Sequence, residues 1–436
     1  MSKISKKTKI IKRKKFILQS PKGMHDVLPD EQPYWEKIKK VAEKIAESYG
    51  FSRIDTPAME NAEIFERTGE ETDLVEKQMY YVKTKGAERN LVLRPEGTAP
   101  TMRSFLQHGF SRLGKPLKLY YFGPMFRYEQ PQAGRFRQFH QIGFEIFSSD
   151  DDPFFDAYAI LATFRLIEEL KIKNLTVQIN SIGCKQCRQA YIKKLKEYYG
   201  NKKDKICKNC QRRLSMRPLR LLDCKDEKCL PFKAEAPVIL DKLCNSCKKH
   251  FKEVLEYLDE LAVPYALNNY LVRGLDYYNR TVFEIFFEPS KDVGALASGG
   301  RYDNLSEMMG GRKIFAMGGS IGVERVIETM KLFNITGALK LKPEVFLVYI
   351  GDEAKKKSLA IFEKLRANGI KISESFGKES LKAQLRDAGK EQVKLCLIFG
   401  QKEVFEESII VRNMKTGAQE TIPLEKVAEE VKKRLH

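Results

Sequence analysis

Along residues 31 to 49 the apolar positions Trp35, Ile38, Ala42, Ile45 and Tyr49 recur at helical spacing, and Gly50 follows as a stop. That stripe predicts an amphipathic helix burying one face. Phe51 to Asp55 reads as a short strand closed by Thr56-Pro57. Leu119, Tyr121, Pro124 and Phe126 form a β-prone run, and Phe139, Ile142 and Phe144 form another. The turn-rich Gln130-Pro131-Gln132-Ala133-Gly134 between them predicts an antiparallel hairpin, with Arg127 on one strand and Gln141 on the other. Strand character returns from Asn269 to Phe287. After a linker near Lys340-Leu341-Lys342-Pro343, Val345 to Ile350 and Val393 to Phe399 are continuous apolar runs, as buried parallel strands should be. Helical stretches at 353–368 and 380–388, strands near Ile409 to Arg412 and Glu420 to Pro423, and a closing helix to Arg434 complete a small α/β unit. No Gly-rich phosphate loop follows its first strand, which argues against nucleotide binding there.

Charge changes this picture because it is uneven. The 436 residues carry a formal net charge of +20, of which residues 1–15 hold +8 and residues 184–250 hold +12, while 16–183 carry −2 and 251–436 carry +2. Positive charge confined to a tail and one insert points to surfaces that grip a polyanion, against the alternative of a solvated Lys-rich face. The tail is expected to be disordered. No apolar run approaches the roughly 20 residues of a membrane-spanning helix, and the tail leads into no signal peptide, so a cytoplasmic protein is expected.

Eight of the nine cysteines fall in the basic insert, as Cys184-x2-Cys187, Cys207-x2-Cys210, Cys224-x4-Cys229 and Cys244-x2-Cys247. The three Cys-x2-Cys knuckles have the ligand spacing of structural zinc, so at least one zinc is expected, and eight thiolates are enough for two tetrahedral sites. Disulfides are the rival reading, disfavoured in a reducing compartment. Spacing alone leaves the pairing open.

Elsewhere the chemistry is charge management. A guanidinium at Arg127 clamps a phosphate bidentately, and Glu129, two residues on, shares its face and accepts from an amino group. Glu96-Gly97-Thr98 puts a carboxylate, a flexible residue and a hydroxyl at one turn, which suits an ammonium ligand; a plain helix N-cap at Thr98 is the bland alternative. Arg273-Gly274 followed by Tyr277-Tyr278 sets a cation, a turn and two phenols together.

These segments occur in an order that carries a resemblance. Arg127-x-Glu129, a loop, then Arg135-x-x-x-Phe139 resembles motif 2 of the class II aminoacyl-tRNA synthetases, and Gln141-x-x-x-Glu145 after it is similar to the histidyl-tRNA synthetase version. Gly50 to Pro57 after the long helix resembles motif 1. Leu271 to Tyr278 resembles the histidine-specific signature, and Ala297-Ser-Gly-Gly-Arg301-Tyr-Asp303 the second signature, a glycine turn lining the same pocket. Ala316-Met-Gly-Gly-Ser-Ile-Gly322-Val-Glu324-Arg325 resembles motif 3.

The resemblance covers about residues 19 to 436 and implies an α+β fold. It comprises a class II catalytic domain on an antiparallel sheet (16–340, interrupted by the Cys-rich insertion 184–250) and an anticodon-binding α/β domain (341–436). It implies histidine–tRNA ligase activity with ATP and Mg²⁺, and a homodimer joined through motif 1. Arg127 and Arg273 are then catalytic, converging from two strands on the α-phosphate and the substrate carboxylate. Glu129, Arg135, Phe139 and Arg325 take ATP, with Phe139 and Arg325 sandwiching the adenine. Glu96, Gly97, Thr98, Gln141, Glu145, Arg273, Tyr277 and Tyr278 take L-histidine, Glu145 and Tyr278 at the imidazole and Glu96, Thr98 and Gln141 at the ammonium. Gln130 and Gln132 lie in the loop that reads the tRNA(His) acceptor end, where Gln130 departs from the Arg often found in bacteria. Zinc at the cysteines is structural rather than catalytic. The alternatives are a class II synthetase of another specificity, which the Arg273–Tyr278 signature opposes, and the non-catalytic regulatory subunit of ATP phosphoribosyltransferase, which lacks an anticodon domain and tends to lose the reactive arginines.

Overall fold

In the computed structural model, residues 18–69, 72, 74–83, 90–113, 116–130, 134–288, 294–337, 342–375, 377 and 380–435 are described. The basic tail and Gln132 lie outside them. Two compact units divide at Ala338/Leu339.

The first unit is built on an eight-stranded sheet. Its strands are β1 (Ser52–Arg53), β5 (Leu117–Phe126), β6 (Gln138–Ser148), β7 (Leu175–Ser181), β8 (Tyr265–Leu267), β9 (Asn279–Phe287), β10 (Ala297–Arg301) and β11 (Phe315–Gly322). The numbers left over, β2 (Met59–Asn61), β3 (Tyr80–Val82) and β4 (Leu91–Leu93), form a separate small sheet with β4 in the middle. The large sheet runs in the order β1-β5-β6-β11-β10-β9-β7-β8 and is antiparallel except where β1 pairs with β5 and β7 with β8. The predicted hairpin is β5–β6, with Tyr121 opposite Gly143 and Gly123 opposite Gln141.

The helix Gln32–Ser48 buries Ile38, Ala42, Ile45 and Ala46, the face its periodicity dictated. The helix Pro153–Glu169 is apolar enough to be buried nearly all round, and its N-cap Asp152 accepts from the amide of Phe154 at 2.9 Å. Two apolar clusters sit on opposite sides of the sheet's elements. One gathers the helices Gln32–Ser48 and Pro153–Glu169, and the other joins the insertion (Tyr191, Leu195, Leu221) to Tyr277, Tyr278 and Tyr302.

Three expectations are corrected. Leu271 to Tyr278 is not strand: β9 starts at Asn279, because side chains satisfy the backbone before it. The Leu271 carbonyl takes the Asn180 amide, and the Asp276 and Tyr278 carbonyls take Arg188. Ala297 to Arg301 is a central strand rather than a glycine turn, with glycines because its neighbours approach closely. A Cβ at Gly299 would lie 2.2 Å from the Gly318 carbonyl. Around Phe51–Asp55 only Ser52–Arg53 pairs, as an exposed edge.

The second unit has a five-stranded sheet of β12 (Val345–Tyr349), β13 (Ile372–Glu374), β14 (Leu395–Phe399), β15 (Ser408–Asn413) and β16 (Gln419–Pro423), in the order β13-β12-β14-β15-β16. The helices Asp352–Ala367, Leu381–Glu391 and Val427–Leu435 accompany it. As the unbroken apolar runs required, β12 and β14 pair in parallel and every residue in both is buried. Among the described residues, no helix is long and apolar enough to cross a membrane.

Candidate active site and cysteine clusters

A cleft of about 460 Å³ opens over β6, β9, β10 and β11. Its wall brings together Glu96, Thr98, Arg127, Glu129, Arg135, Phe139, Gln141, Arg273, Tyr277, Tyr278 and Arg325, drawn from segments far apart in the sequence. Arg127 lies just past the end of β5 and Arg273 in the irregular segment before β9, so the expectation that both stand on strands is corrected.

Each cation is anchored by part of its guanidinium. Arg127 donates through Nε to the Pro95 carbonyl at 2.8 Å and lies 5.2 Å from the centre of the Phe139 ring. Arg273 donates to Glu284 at 2.6 Å and to Ser298 Oγ at 2.9 Å. Arg325 donates to the carbonyls of Gly134 at 3.0 Å and Ala295 at 2.8 Å, tying the loop after β5 to the irregular segment just before β10. Glu324, next to it, accepts from both the amide and ring of His140 at 2.9 Å. His140 in turn packs edge-on against Trp35 at 4.7 Å.

Glu96 accepts from the amides of Thr98 at 2.6 Å and Ala99 at 2.8 Å, so the first turn of the helix Thr98–Gln107 is capped by Glu96, not by a Thr98 side chain. Its carboxylate is buried rather than exposed, and burial raises its pKa against those two amides. The Thr98 hydroxyl points the other way, to Glu145 at 2.7 Å.

Glu145 does not line the cleft. It lies beneath it, 1% exposed, accepting from Thr98, Tyr121 at 3.3 Å and Tyr302. Burial pushes its carboxyl up to about 8, although the hydroxyl donors oppose that. Glycines make the room: a Cβ at Gly318 would meet Glu145 Oε2 at 1.8 Å, and one at Gly97 or Gly143 would meet the Tyr121 ring at 2.2 Å. Gly97 is thus required for close approach rather than flexibility, its φ being −104°.

Three buried polar atoms of the cleft residues have no partner: Gln141 Oε1, Arg273 Nε and the Tyr277 hydroxyl. Orphaned groups of this kind cost about 1–3 kcal/mol each unless a ligand satisfies them. Together with the arginines, the cleft can hold a polyanion beside a small zwitterion. Gln130 stays on the exposed loop.

Sequence reasoning missed several contributors. Tyr121 and Tyr302 reach Glu145 from β5 and from just past β10, and Arg220 joins the cleft wall from inside the Cys-rich insertion. Only Tyr302, adjacent to the Arg301 signature, carried a local signal. Behind the sheet, Arg301 is paired with Asp156, Asp151 and Asp303. Burial alone would raise the Asp156 carboxyl, and Arg301 with His250 outweigh it, holding it at about 2.

The cysteines fall into two quartets, Cys184/Cys187/Cys244/Cys247 and Cys207/Cys210/Cys224/Cys229, with all sulfurs of a quartet within 4.8 Å of one another. The Cys184–Cys187 and Cys207–Cys224 sulfurs are 3.6 and 3.9 Å apart. A tetrahedron with Zn–S bonds of about 2.3 Å has edges of about 3.8 Å, whereas a disulfide requires about 2.0 Å. All nine cysteines are free thiols. The donor set therefore fits zinc at both quartets. Burial opposes ionisation of Cys184, and the Cys187 and Gln186 amides with neighbouring thiols outweigh it, holding Cys184 at about 7.

Residues 23–326 match the family described as Histidyl-tRNA synthetase. The chain belongs to the histidyl-tRNA synthetase family. Residues 344–434 match a second family, described as Anticodon binding domain. The chain is 44% identical over 418 residues to the histidine–tRNA ligase of Dehalococcoides mccartyi, covering 96% of this chain and all of that one. It is 45% identical over 399 residues to the histidine–tRNA ligase of Thermosipho melanesiensis, covering 91% and 94%. Among solved structures, apo histidyl-tRNA synthetase from S. aureus superposes with a TM-score of 0.77 at 32% identity, covering 95% and 99%. The class II synthetase fold expected from the motifs, with its separate C-terminal domain, is thereby confirmed for this family member.

Proposed function

We propose that the chain activates L-histidine with ATP and transfers the histidyl group to the 3′ end of tRNA(His). The observation that carries this reading is the trio of orphaned polar atoms, Gln141 Oε1, Arg273 Nε and the Tyr277 hydroxyl, in a cleft otherwise lined by arginines. A site with buried polar groups left open rejects apolar isosteres, which would leave them unpaired.

In the first step a histidine carboxylate oxygen attacks the α-phosphorus, and the bond from that phosphorus to the bridging oxygen breaks to release pyrophosphate. No protein nucleophile is needed. Two anions must be brought together, so fixed cations supply the catalysis by positioning and electrostatic stabilisation. Arg127 and Arg273 take the α-phosphate and carboxylate, each already held by one edge, by Pro95 and by Glu284 with Ser298. Arg135 serves the outer phosphates, Glu129 the adenine edge, and Phe139 with Arg325 the adenine faces; Mg²⁺ arrives with the triphosphate as part of the substrate.

The histidine ammonium is assigned to Glu96, Thr98 and Gln141 beside Gly97, and the imidazole to Tyr278 and Glu145 with Tyr277 nearby. Both Glu145 oxygens are engaged, so a ring nitrogen reaches it by displacing a hydroxyl such as that of Thr98. In the second step the terminal ribose hydroxyl attacks the acyl carbon, its proton is lost to solvent, and AMP departs. Gln130 and Gln132 are assigned to the acceptor end.

Zinc at the two quartets is assigned a structural role, since each uses four protein thiols and leaves no open position. The free thiols favour a reducing, cytoplasmic setting. A homodimer joined near β1 and the helix Gln32–Ser48 is supported by the exposed edge that β1 presents. Charging assays with labelled histidine and tRNA(His) test the reading: histidylated tRNA is expected, and its absence with active, folded protein overturns the transfer step.

A further inference from the structure

The histidine loop Arg273–Tyr278 has no strand partner, yet it carries Arg273, Tyr277 and Tyr278 into the cleft. Its placement comes largely from the Cys-rich insertion. Arg188 Nη1 donates to the Asp276 carbonyl at 3.3 Å and the Tyr278 carbonyl at 3.0 Å. Just beyond the loop, the Arg280 amide donates to the Gly183 carbonyl at 2.9 Å, and the Arg280 carbonyl accepts from Ile182 at 2.8 Å. The loop is thus gripped at its end by residues flanking Cys184 and Cys187.

Those cysteines define where Arg188 stands. Cys184 is the N-cap of the helix Lys185–Gly200, and Cys187 and Arg188 lie in its first turn, with the Arg188 amide on the Cys184 carbonyl at 2.9 Å. Cys244 is likewise the N-cap of the helix Asn245–Glu260, and its amide donates to the Cys187 sulfur at 3.1 Å. The quartet therefore pins two helix N-termini together, and one of them aims Arg188. Gly183 is left-handed at φ +65°, and a Cβ there would lie 2.5 Å from that of Cys187, so the turn feeding the quartet is tightly packed.

We propose that Arg188 is a positioning residue through which the Cys184/Cys187/Cys244/Cys247 site sets the geometry of the histidine loop. The proposal rests on the assignment of Tyr277 and Tyr278 to histidine. Its signature is selectivity. The phosphate side of the cleft, formed by Arg127, Arg135 and Arg325, has no bond to Arg188, so ATP binding is insulated while histidine binding is not.

The test is equilibrium binding of histidine and of ATP, measured separately by calorimetry on the full-length, zinc-loaded chain. Binding of histidine by the unaltered chain checks the underlying assignment on its own. Arg188→Ala is expected to weaken histidine binding about tenfold, the scale of a lost charged hydrogen bond, while ATP binding stays within about twofold. Arg188→Lys, which keeps a donor, is expected to recover part of that loss and covers the case in which the alanine variant does not fold. Chelating zinc from the unaltered chain should reproduce the selective loss, and chelation of the Arg188→Ala chain should add nothing further. Unchanged histidine affinity in both variants, or an equal loss of histidine and ATP affinity, overturns the proposal.

Discussion

The Tyr121 hydroxyl stands 3.3 Å from Glu145 Oε1, at the end of a ring that passes between Gly97 and Gly143. Neither glycine has neighbours that would tolerate a methyl group, since a Cβ at either would lie 2.2 Å from the tyrosine ring. Gly143→Ala should therefore overpack the floor of the cleft and cost about 1–3 kcal/mol. Tyr121→Phe, which keeps the ring and removes one hydroxyl, should cost about 1 kcal/mol. Denaturant titration checks the ranking, and a neutral Gly143→Ala would show that the floor is looser than its geometry.

Glu145 predicts a pH effect whose sign follows from burial. Its folded pKa of about 8 lies above the value of about 4.3 for a free glutamate, so between those values the folded chain holds a proton that the unfolded chain has lost. The contribution of this group to stability is full below the unfolded pKa and declines as pH rises through the folded one. Glu145→Gln, which stays neutral, should thus gain relative to the unaltered chain between pH 5 and about pH 8. Thermal melting of both proteins across that range tests it, and a constant gap would remove Glu145 as the titrating group.

Arg273 should separate catalysis from stability. Arg273→Ala is expected to reduce histidine-dependent pyrophosphate exchange by roughly 10²- to 10³-fold, as loss of one preorganised donor does. It also strands Glu284, whose pKa burial already raises and Arg273 lowers, so the fold should lose about 1–3 kcal/mol. Adding Glu284→Gln should restore the stability but not the rate. An unchanged rate in the single variant contradicts the role given to Arg273.

Metal content is the simplest check on the insertion. Native mass spectrometry should find two zinc ions per chain, and Cys207→Ser with Cys210→Ser should leave one. No remaining ion would mean that Cys207 and Cys210 belong to different quartets, and two remaining ions would mean that these thiols are not ligands.

The fold was legible wherever a local pattern decided it. The stripe of the helix Gln32–Ser48, the β5–β6 hairpin and the apolar runs of β12 and β14 all follow from periodicity. What sequence could not show depends on contacts between distant residues. The backbone of Leu271 to Tyr278 avoids the sheet because Asn180 and Arg188, about 90 positions away, supply its hydrogen bonds. Likewise Glu145 reads as a ligand four residues from Gln141, yet Tyr121, Thr98 and Tyr302 enclose it from three other segments. The cysteine spacing announced metal, but which knuckle pairs with which was set by two helices whose N-caps, Cys184 and Cys244, meet in space.

The central claim, that this cleft activates histidine, is tested most directly by ATP–pyrophosphate exchange with the folded, zinc-loaded chain against each of the twenty amino acids. Exchange with histidine alone is predicted; exchange with a different amino acid, or with none, would contradict it.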